Sequence, residues 1–296
     1  QVFLEEGEKQ TVETLLKCIL VASGNDASVA MAEYIGGSEE AFVQKMNERA
    51  AALDMKNTHF VDCCGLTDSD DHYTTPRDIA VMSRELLLHF PQVEQYTTIW
   101  MEDITHVTAK GSSTFGLTNT NKLLRSYDGC IGLKTGSTSK AKFCVSAAAK
   151  RGDITLISVI MAGSDSKIRF ANAAALLNYG FGICRIYKDE APPAAGEVRI
   201  TGGKKRSMLC IYRETFSYLD TEGIDFSKIE RRQVMETALA APVKKGTKAG
   251  ELQYFLNGQK IGSVDILTEE EVARAGFLDY FMESLDALLM QNEQTA

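Results

Sequence analysis

From Thr11 onward Val12, Leu15, Leu16, Ile19 and Leu20 recur at helical spacing, which predicts a helix capped by Thr11, with Glu13 at its positive end. That helix delivers Ser23-Gly24-Asn25-Asp26 at its end. A second helix is expected to run through Tyr34 to a stop at Gly36-Gly37, and Ser38 caps a third whose apolar face is Phe42, Val43, Met46, Ala50 and Leu53. Residues 57–74 are polar and irregular. Thr75-Pro76 then supplies a cap and a first-turn proline for a helix with Ile79, Met82, Leu86 and Leu87 on one side.

From residue 131 the period changes. Lys142–Ala149 and Ile154–Ala162 are rich in small and β-branched residues and flank Arg151-Gly152-Asp153, the pattern of an antiparallel hairpin, with Lys134-Thr135-Gly136 just ahead of it. Phe170, Ala173, Leu176 and Leu177 form a helical stripe ending near Gly180. Helices, then a hairpin, then a helix packed on it indicate a mixed α/β (α+β) domain. Ala191-Pro192-Pro193-Ala194-Ala195-Gly196 reads as a linker. Beyond it, alternating segments at 198–201, 208–213, 231–238, 252–256 and 259–267, with a hairpin signal at Asn257-Gly258, predict a small all-β domain. A helical tail is expected over 269–291, with Phe277, Phe281, Leu285, Leu288 and Leu289 on one face.

The 296 residues with 44% hydrophobic content support a sizeable core and more than one domain. A net charge of −8 with no dense basic tract argues against a nucleic-acid partner. No run reaches the eighteen or so apolar residues a membrane-spanning helix needs, and residues 1–10 lack the zones of a signal peptide. Seven cysteines at no metal-ligand or redox spacing predict neither a metal site nor a cofactor.

Two short motifs carry the chemistry. Ser23-Gly24-Asn25 has the form S-x-N and Lys134-Thr135-Gly136 the form K-T-G, in the order and separation seen in penicillin-binding proteins and serine β-lactamases. Three-residue matches arise by chance, and a helix-end hydroxyl or a solvated strand-end lysine is the bland alternative. The likeness extends to Leu20–Asp26, Asn57-Thr58-His59-Phe60, His72-Tyr73-Thr74-Thr75, Asn119–Leu124, Gly132–Gly136 and, near the end, Ala241-Pro242-Val243-Lys244-Lys245-Gly246. On these residues the chain resembles the low-molecular-weight D-alanyl-D-alanine carboxypeptidases over nearly its whole length.

The resemblance implies a penicillin-binding domain of the serine β-lactamase-like fold over residues 1–184, a β-rich sandwich over 185–276, and an amphipathic helix over 277–296. It also implies removal of the terminal D-alanine from peptidoglycan stem peptides through an acyl-enzyme, inhibition by β-lactams, and action outside the cytoplasm. Ser23 would relay a proton to the leaving nitrogen, Asn25 would bond the substrate backbone, and Lys134 would assist Ser23. Thr135 would bind the terminal carboxylate, Gly136 would let substrate approach the strand edge, and the N–H of Ser137 would donate to the oxyanion. Arg169 would read the free carboxyl terminus, although a surface arginine at a helix start is an equal alternative.

The family's S-x-x-K nucleophile motif should stand several dozen residues before S-x-N, and Ser23 is too near the start for it to fit. Ser137-Thr138-Ser139-Lys140 and Ser164-Asp165-Ser166-Lys167 have the spacing but are expected in a turn and a loop rather than at a buried helix start. The chain is therefore expected to lack its nucleophile. Cys64, with His59 or His72 as base, is the alternative nucleophile; more plainly, it is a packed loop residue beside structural histidines. His89 and His106 receive no role. The function alternatives are a nucleophile-less peptidoglycan-binding module and a class A β-lactamase, the latter disfavoured by the β-rich second domain. A peripheral membrane contact through the last helix is opposed by Asp279, Glu283 and Asp286 on its polar face, and a partner contact is an equal alternative.

Overall fold

The computed structural model describes residues 1–285 except Lys110 and Glu283. The chain divides into two compact units, Gln1–Gly182 and Ile183–Ala296.

The first unit opens with helices α1 (Val12–Leu20), α2 (Asn25–Gly36), α3 (Glu39–Ala52) and α4 (Pro76–His89). Their starts follow from local chemistry. The side chains of Thr11, Ser38 and Thr75 accept from the backbone N–H of Thr14, Ala41 and Asp78, satisfying donors that a helix start leaves unpaired, and Pro76 occupies a first-turn position that needs no N–H. Gly37 ends α2 in the left-handed conformation (φ 84°) that glycine adopts without steric cost. A short helix α5 (Glu94–Thr97) leads into the antiparallel hairpin β1 (Met101–Thr108) and β2 (Gly111–Thr118), which is not among the elements expected from the sequence.

After α6 (Leu123–Ser126) come β3 (Cys130–Thr138), β4 (Lys142–Arg151) and β5 (Ile154–Gly163), an antiparallel sheet in that order, and then α7 (Ser166–Ile183). The expected two-stranded hairpin is thus three-stranded, and Lys134-Thr135-Gly136 lies within a strand, not ahead of one. The central strand is buried on both faces because its residues are small: Ala147, Ala148 and Ala149 have no exposed surface. Val145, Ala147 and Ala149 meet Phe170, Ala173 and Leu177 of α7. Ala148, with Ile131 and Leu133, meets Leu87 of α4 on the other face. A second cluster, Val2, Cys18, Val21, Ala27, Ile104 and Leu117, joins α1, α2 and the β1–β2 hairpin to residues 2–4.

In the second unit β6 (Arg185–Lys188) and β9 (Ser217–Asp220) form a two-stranded sheet. The strands β7 (Glu197–Thr201), β8 (Ser207–Tyr212), β10 (Ile229–Met235), β11 (Leu239–Ala240), β12 (Lys248–Leu256) and β13 (Gln259–Thr268) form a six-stranded sheet ordered β10-β12-β13-β8-β7-β11. Asn257 and Gly258, both at positive φ (49° and 80°), turn β12 into β13 as expected. The helical expectation for 269–276 is corrected. Val272 and Arg274 make β-bridges to Val243 and Gly203, and Val272 is buried in the domain core with Val243 and Ile266, so the helix starts only where the stripe does, at Phe277. Residues 277–282 are helical and expose Phe277 and Phe281. Leu288, Leu289, Glu283 and Asp286, also assigned to this helix, lie outside the described residues.

Candidate active site

A cavity of about 700 Å³ in the first unit is lined by all seven residues singled out from the sequence: Ser23, Asn25, Lys134, Thr135, Gly136, Ser137 and Arg169. Each arrives by a separate route. Ser23 occupies the turn between α1 and α2 at φ 58°, a left-handed conformation that costs a non-glycine residue energy and is held by its surroundings. The next residue, Gly24, donates its N–H to the Cys18 carbonyl (3.0 Å), closing the end of α1. Asn25 begins α2 and lines the cavity.

Lys134 reaches across from β3. Its Nζ donates to Ser23 Oγ at 2.6 Å and to the Thr135 carbonyl at 2.7 Å. Burial, and secondarily the positive charge of Arg169, lowers its pKa from 10.5 to about 8, so near neutrality it can both hold and release a proton. The solvated strand-end reading of Lys134 is therefore wrong. The Thr135 hydroxyl lies 2.6 Å from that of Thr120, in the loop between β2 and α6. β3 is an edge strand of its sheet, and a Cβ built on Gly136 would meet no protein atom within 4 Å, so that edge stands open to a ligand.

Arg169, in the first turn of α7, is 7% exposed, which removes the surface-arginine alternative. Its Nη1 donates to the carbonyls of Gly136 (3.0 Å) and Cys144 (3.1 Å), and its guanidinium lies over Phe170 (4.7 Å) and Phe143 (5.6 Å). Nε is buried without a partner among the described residues. Burial lowers its pKa from the ordinary arginine value.

The opposite wall is the loop around Cys64, folded by the Asp62 carboxylate, which accepts from the backbone of Cys64, Gly65 and Thr67. Burial raises the Cys64 pKa and pushes Cys63 up to about 12, which keeps both as thiols. His59, whose Nδ1 contacts the Asp71 carbonyl, is not among the residues lining the cavity, and the Nδ1 of His72 accepts from the Val61 N–H, so neutral His72 carries its proton on Nε2 and offers Cys64 no acceptor. Ser137 lies on β3, not in the turn after Gly136 as expected, and Ser164 lies in the bend before α7. A third match to S-x-x-K, Ser139-Lys140-Ala141-Lys142, runs through the β3–β4 turn. None of the three begins at a buried helix start. Sequence reasoning assigned no role to Thr120 or to Asp26. The only local signal was their presence inside the family-like strings, since their contacts are made with residues 15 and 22 to 24 positions away.

A Ser/Asn helix start thus faces a Lys-Thr-Gly edge strand across a cleft, on a sheet covered by helices on both faces. The profile of the D-alanyl-D-alanine carboxypeptidase family, Peptidase S11, matches residues 1–165, and that of the penicillin-binding protein 5 C-terminal domain matches residues 185–274. The chain is 36% identical to the D-alanyl-D-alanine carboxypeptidase DacF of Bacillus subtilis over 96% of its own length and 72% of the relative's. It is 32% identical to DacC of Escherichia coli, covering 93% and 67%. Its fold is similar to that of penicillin binding protein 5 from Haemophilus influenzae, with a TM-score of 0.67 at 30% identity over 93% of this chain and 78% of the other. The chain belongs to the D-alanyl-D-alanine carboxypeptidase family.

Proposed function

We propose that this site carries out serine-type D-Ala-D-Ala carboxypeptidase chemistry on peptidoglycan stem peptides outside the cytoplasmic membrane. The 2.6 Å contact between Lys134 Nζ and Ser23 Oγ, beside an open strand edge, carries the reading. The substrate strand lies along β3 at Gly136, with its backbone amide on Asn25 and its terminal carboxylate on the Thr135 hydroxyl beside Arg169. A nucleophilic serine, its hydroxyl proton taken by the lysine of its own S-x-x-K pair, attacks the penultimate D-Ala carbonyl, and the Ser137 N–H takes the developing oxyanion. As the C–N bond breaks, Ser23 gives its proton to the leaving D-alanine nitrogen and is reprotonated from Lys134. Water then releases the acyl group. A β-lactam follows the same path as far as the acyl-enzyme.

The nucleophile in this reading is the serine of an S-x-x-K pair at a buried helix start, a setting that none of the three S-x-x-K matches at Ser137, Ser139 and Ser164 has. Fluorescent penicillin is expected to leave the 296-residue chain unlabelled and to label a longer chain in which such a helix faces Ser23. In that longer chain Lys134→Ala should slow acylation at least tenfold with the fold intact. Label mapped by peptide mass to Ser137, Ser139 or Ser164 overturns the assignment, and unchanged acylation in Lys134→Ala removes Lys134 from the mechanism. The binding-module alternative draws on the same want of an S-x-x-K at a buried helix start, and it predicts reversible peptide binding without label in either chain. The exposed Phe277 and Phe281 support a surface contact for the last helix.

A further inference from the structure

We propose that Asp26 is a positioning residue of the site: it ties residues 2–4 to the first turn of α2 and thereby holds Ser23 where its hydroxyl meets Lys134. The inference rests on the proton-relay reading of Ser23 and Lys134. Asp26 lines no part of the cavity, yet its carboxylate makes more backbone contacts than any helix cap requires. Oδ1 accepts from the N–H of Val2 (3.0 Å) and of Ala27 (3.0 Å), and Oδ2 accepts from Val2 (3.1 Å) and Leu4 (3.1 Å). Burial alone would raise its pKa, but these N–H donors outweigh burial and the carboxyl titrates below its ordinary value.

The tie reaches Ser23 through Gly24. A Cβ on Gly24 would lie 3.1 and 3.2 Å from the two Val2 methyl carbons and 3.2 Å from Asp26 Oδ1, so Val2 fills the space beside the residue after Ser23. Val2 has no exposed surface and packs with Cys18, Val21 and Ala27, the residues bracketing the 22–26 turn. Ser23 sits at a left-handed φ that its own chain does not favour, and such a conformation persists only where neighbours on several sides confine it. Cys18 holds Gly24 from the α1 side and Ser28 holds its carbonyl from the α2 side, while Val2, anchored by Asp26, closes the third. With that side released, the turn can relax toward ordinary backbone angles, Ser23 Oγ leaves Lys134 Nζ, and water reaches the ammonium.

The test uses the 296-residue chain, so it does not depend on catalysis. Backbone amide exchange at Val2 and Leu4 and the titration of Lys134, followed by NMR of its side-chain carbon beside Nζ, are compared in the wild type, Asp26→Asn and Asp26→Ala. In Asp26→Ala both amides should exchange at least tenfold faster, and the Lys134 midpoint should rise from about 8 toward 10.5 by about one unit as it is rehydrated. Asp26→Asn keeps one acceptor of the same shape and should restore part of both effects. Faster exchange with an unmoved Lys134 midpoint overturns the proposal, because Asp26 would then stabilise the segment alone. Unchanged exchange overturns it also. If Asp26→Ala does not fold, Asp26→Asn is read by the same criteria. A shifted midpoint together with normal acylation by Lys134→Ala in the longer chain would retain the tie and discard the relay.

Discussion

Replacing Lys134 by methionine, which keeps the length of the side chain and removes its charge, should stabilise the first unit at neutral pH while abolishing the Ser23 contact. The lysine's pKa is lowered from 10.5 in the unfolded chain to about 8 in the fold. A difference of about 2.5 units, at about 1.36 kcal/mol each, makes the charged ammonium roughly 3 kcal/mol less favourable in the cleft than in water. Methionine forgoes the bonds to Ser23 Oγ and the Thr135 carbonyl, together worth about 1–2 kcal/mol net. The expected gain is therefore about 1–2 kcal/mol at pH 7. The sign of the pH dependence is definite. Between pH 8 and 10.5 the unfolded chain holds a proton at this lysine that the folded chain has lost, so wild-type stability relative to the methionine variant rises with pH, by at most about 1.4 kcal/mol per unit. Below pH 8 the penalty is fully present. Urea unfolding of both proteins from pH 6.5 to 10 measures this, and taking the difference cancels every group whose titration the substitution leaves alone. A difference that stays flat across that range would refute the reasoning, because Lys134 would then titrate alike in both states. A loss of stability at pH 7 would mean that the two hydrogen bonds outweigh burial.

In a longer chain carrying the nucleophile, Arg169→Ala should impair cleavage of peptides with a free terminal carboxylate by roughly ten- to a hundredfold while changing the already poor amidated peptides little. Equal losses on acid and amide would reduce Arg169 to its bonds with the Gly136 and Cys144 carbonyls. Gly129→Ala should lower the stability of the first unit by roughly 2–4 kcal/mol in urea, since the residue sits at φ 77° and the new Cβ would lie 2.4 Å from the Lys150 carbonyl oxygen. A loss under 1 kcal/mol would show that the end of β4 can give way.

The sequence by itself determined what depends on neighbours along the chain. Thr11, Ser38 and Thr75 cap the helices they were expected to cap, Gly37 ends α2, and Asn257-Gly258 turns a hairpin, because each acts on backbone groups within four residues. The S-x-N and K-T-G strings were legible for the same reason, and their likeness to a family supplied the expectation that they meet. Tertiary structure decided what depends on distant partners. The β1–β2 hairpin is rich in polar Thr, Ser and His positions, few of which are buried, so it leaves almost no apolar period to read. Residues 269–276, expected to continue the helix of the Phe277 stripe backwards, are drawn instead into bridges with Gly203 and Val243. Arg169 was equally a surface and a site residue until α7 was laid on β4 and placed its guanidinium over Phe143 and Phe170. A lysine's loss of two or more pKa units, a serine held at positive φ, and a carboxylate stitched to residues two dozen positions earlier all arise from burial and confinement. Those are properties of which segments touch, and no local pattern of residues encodes them.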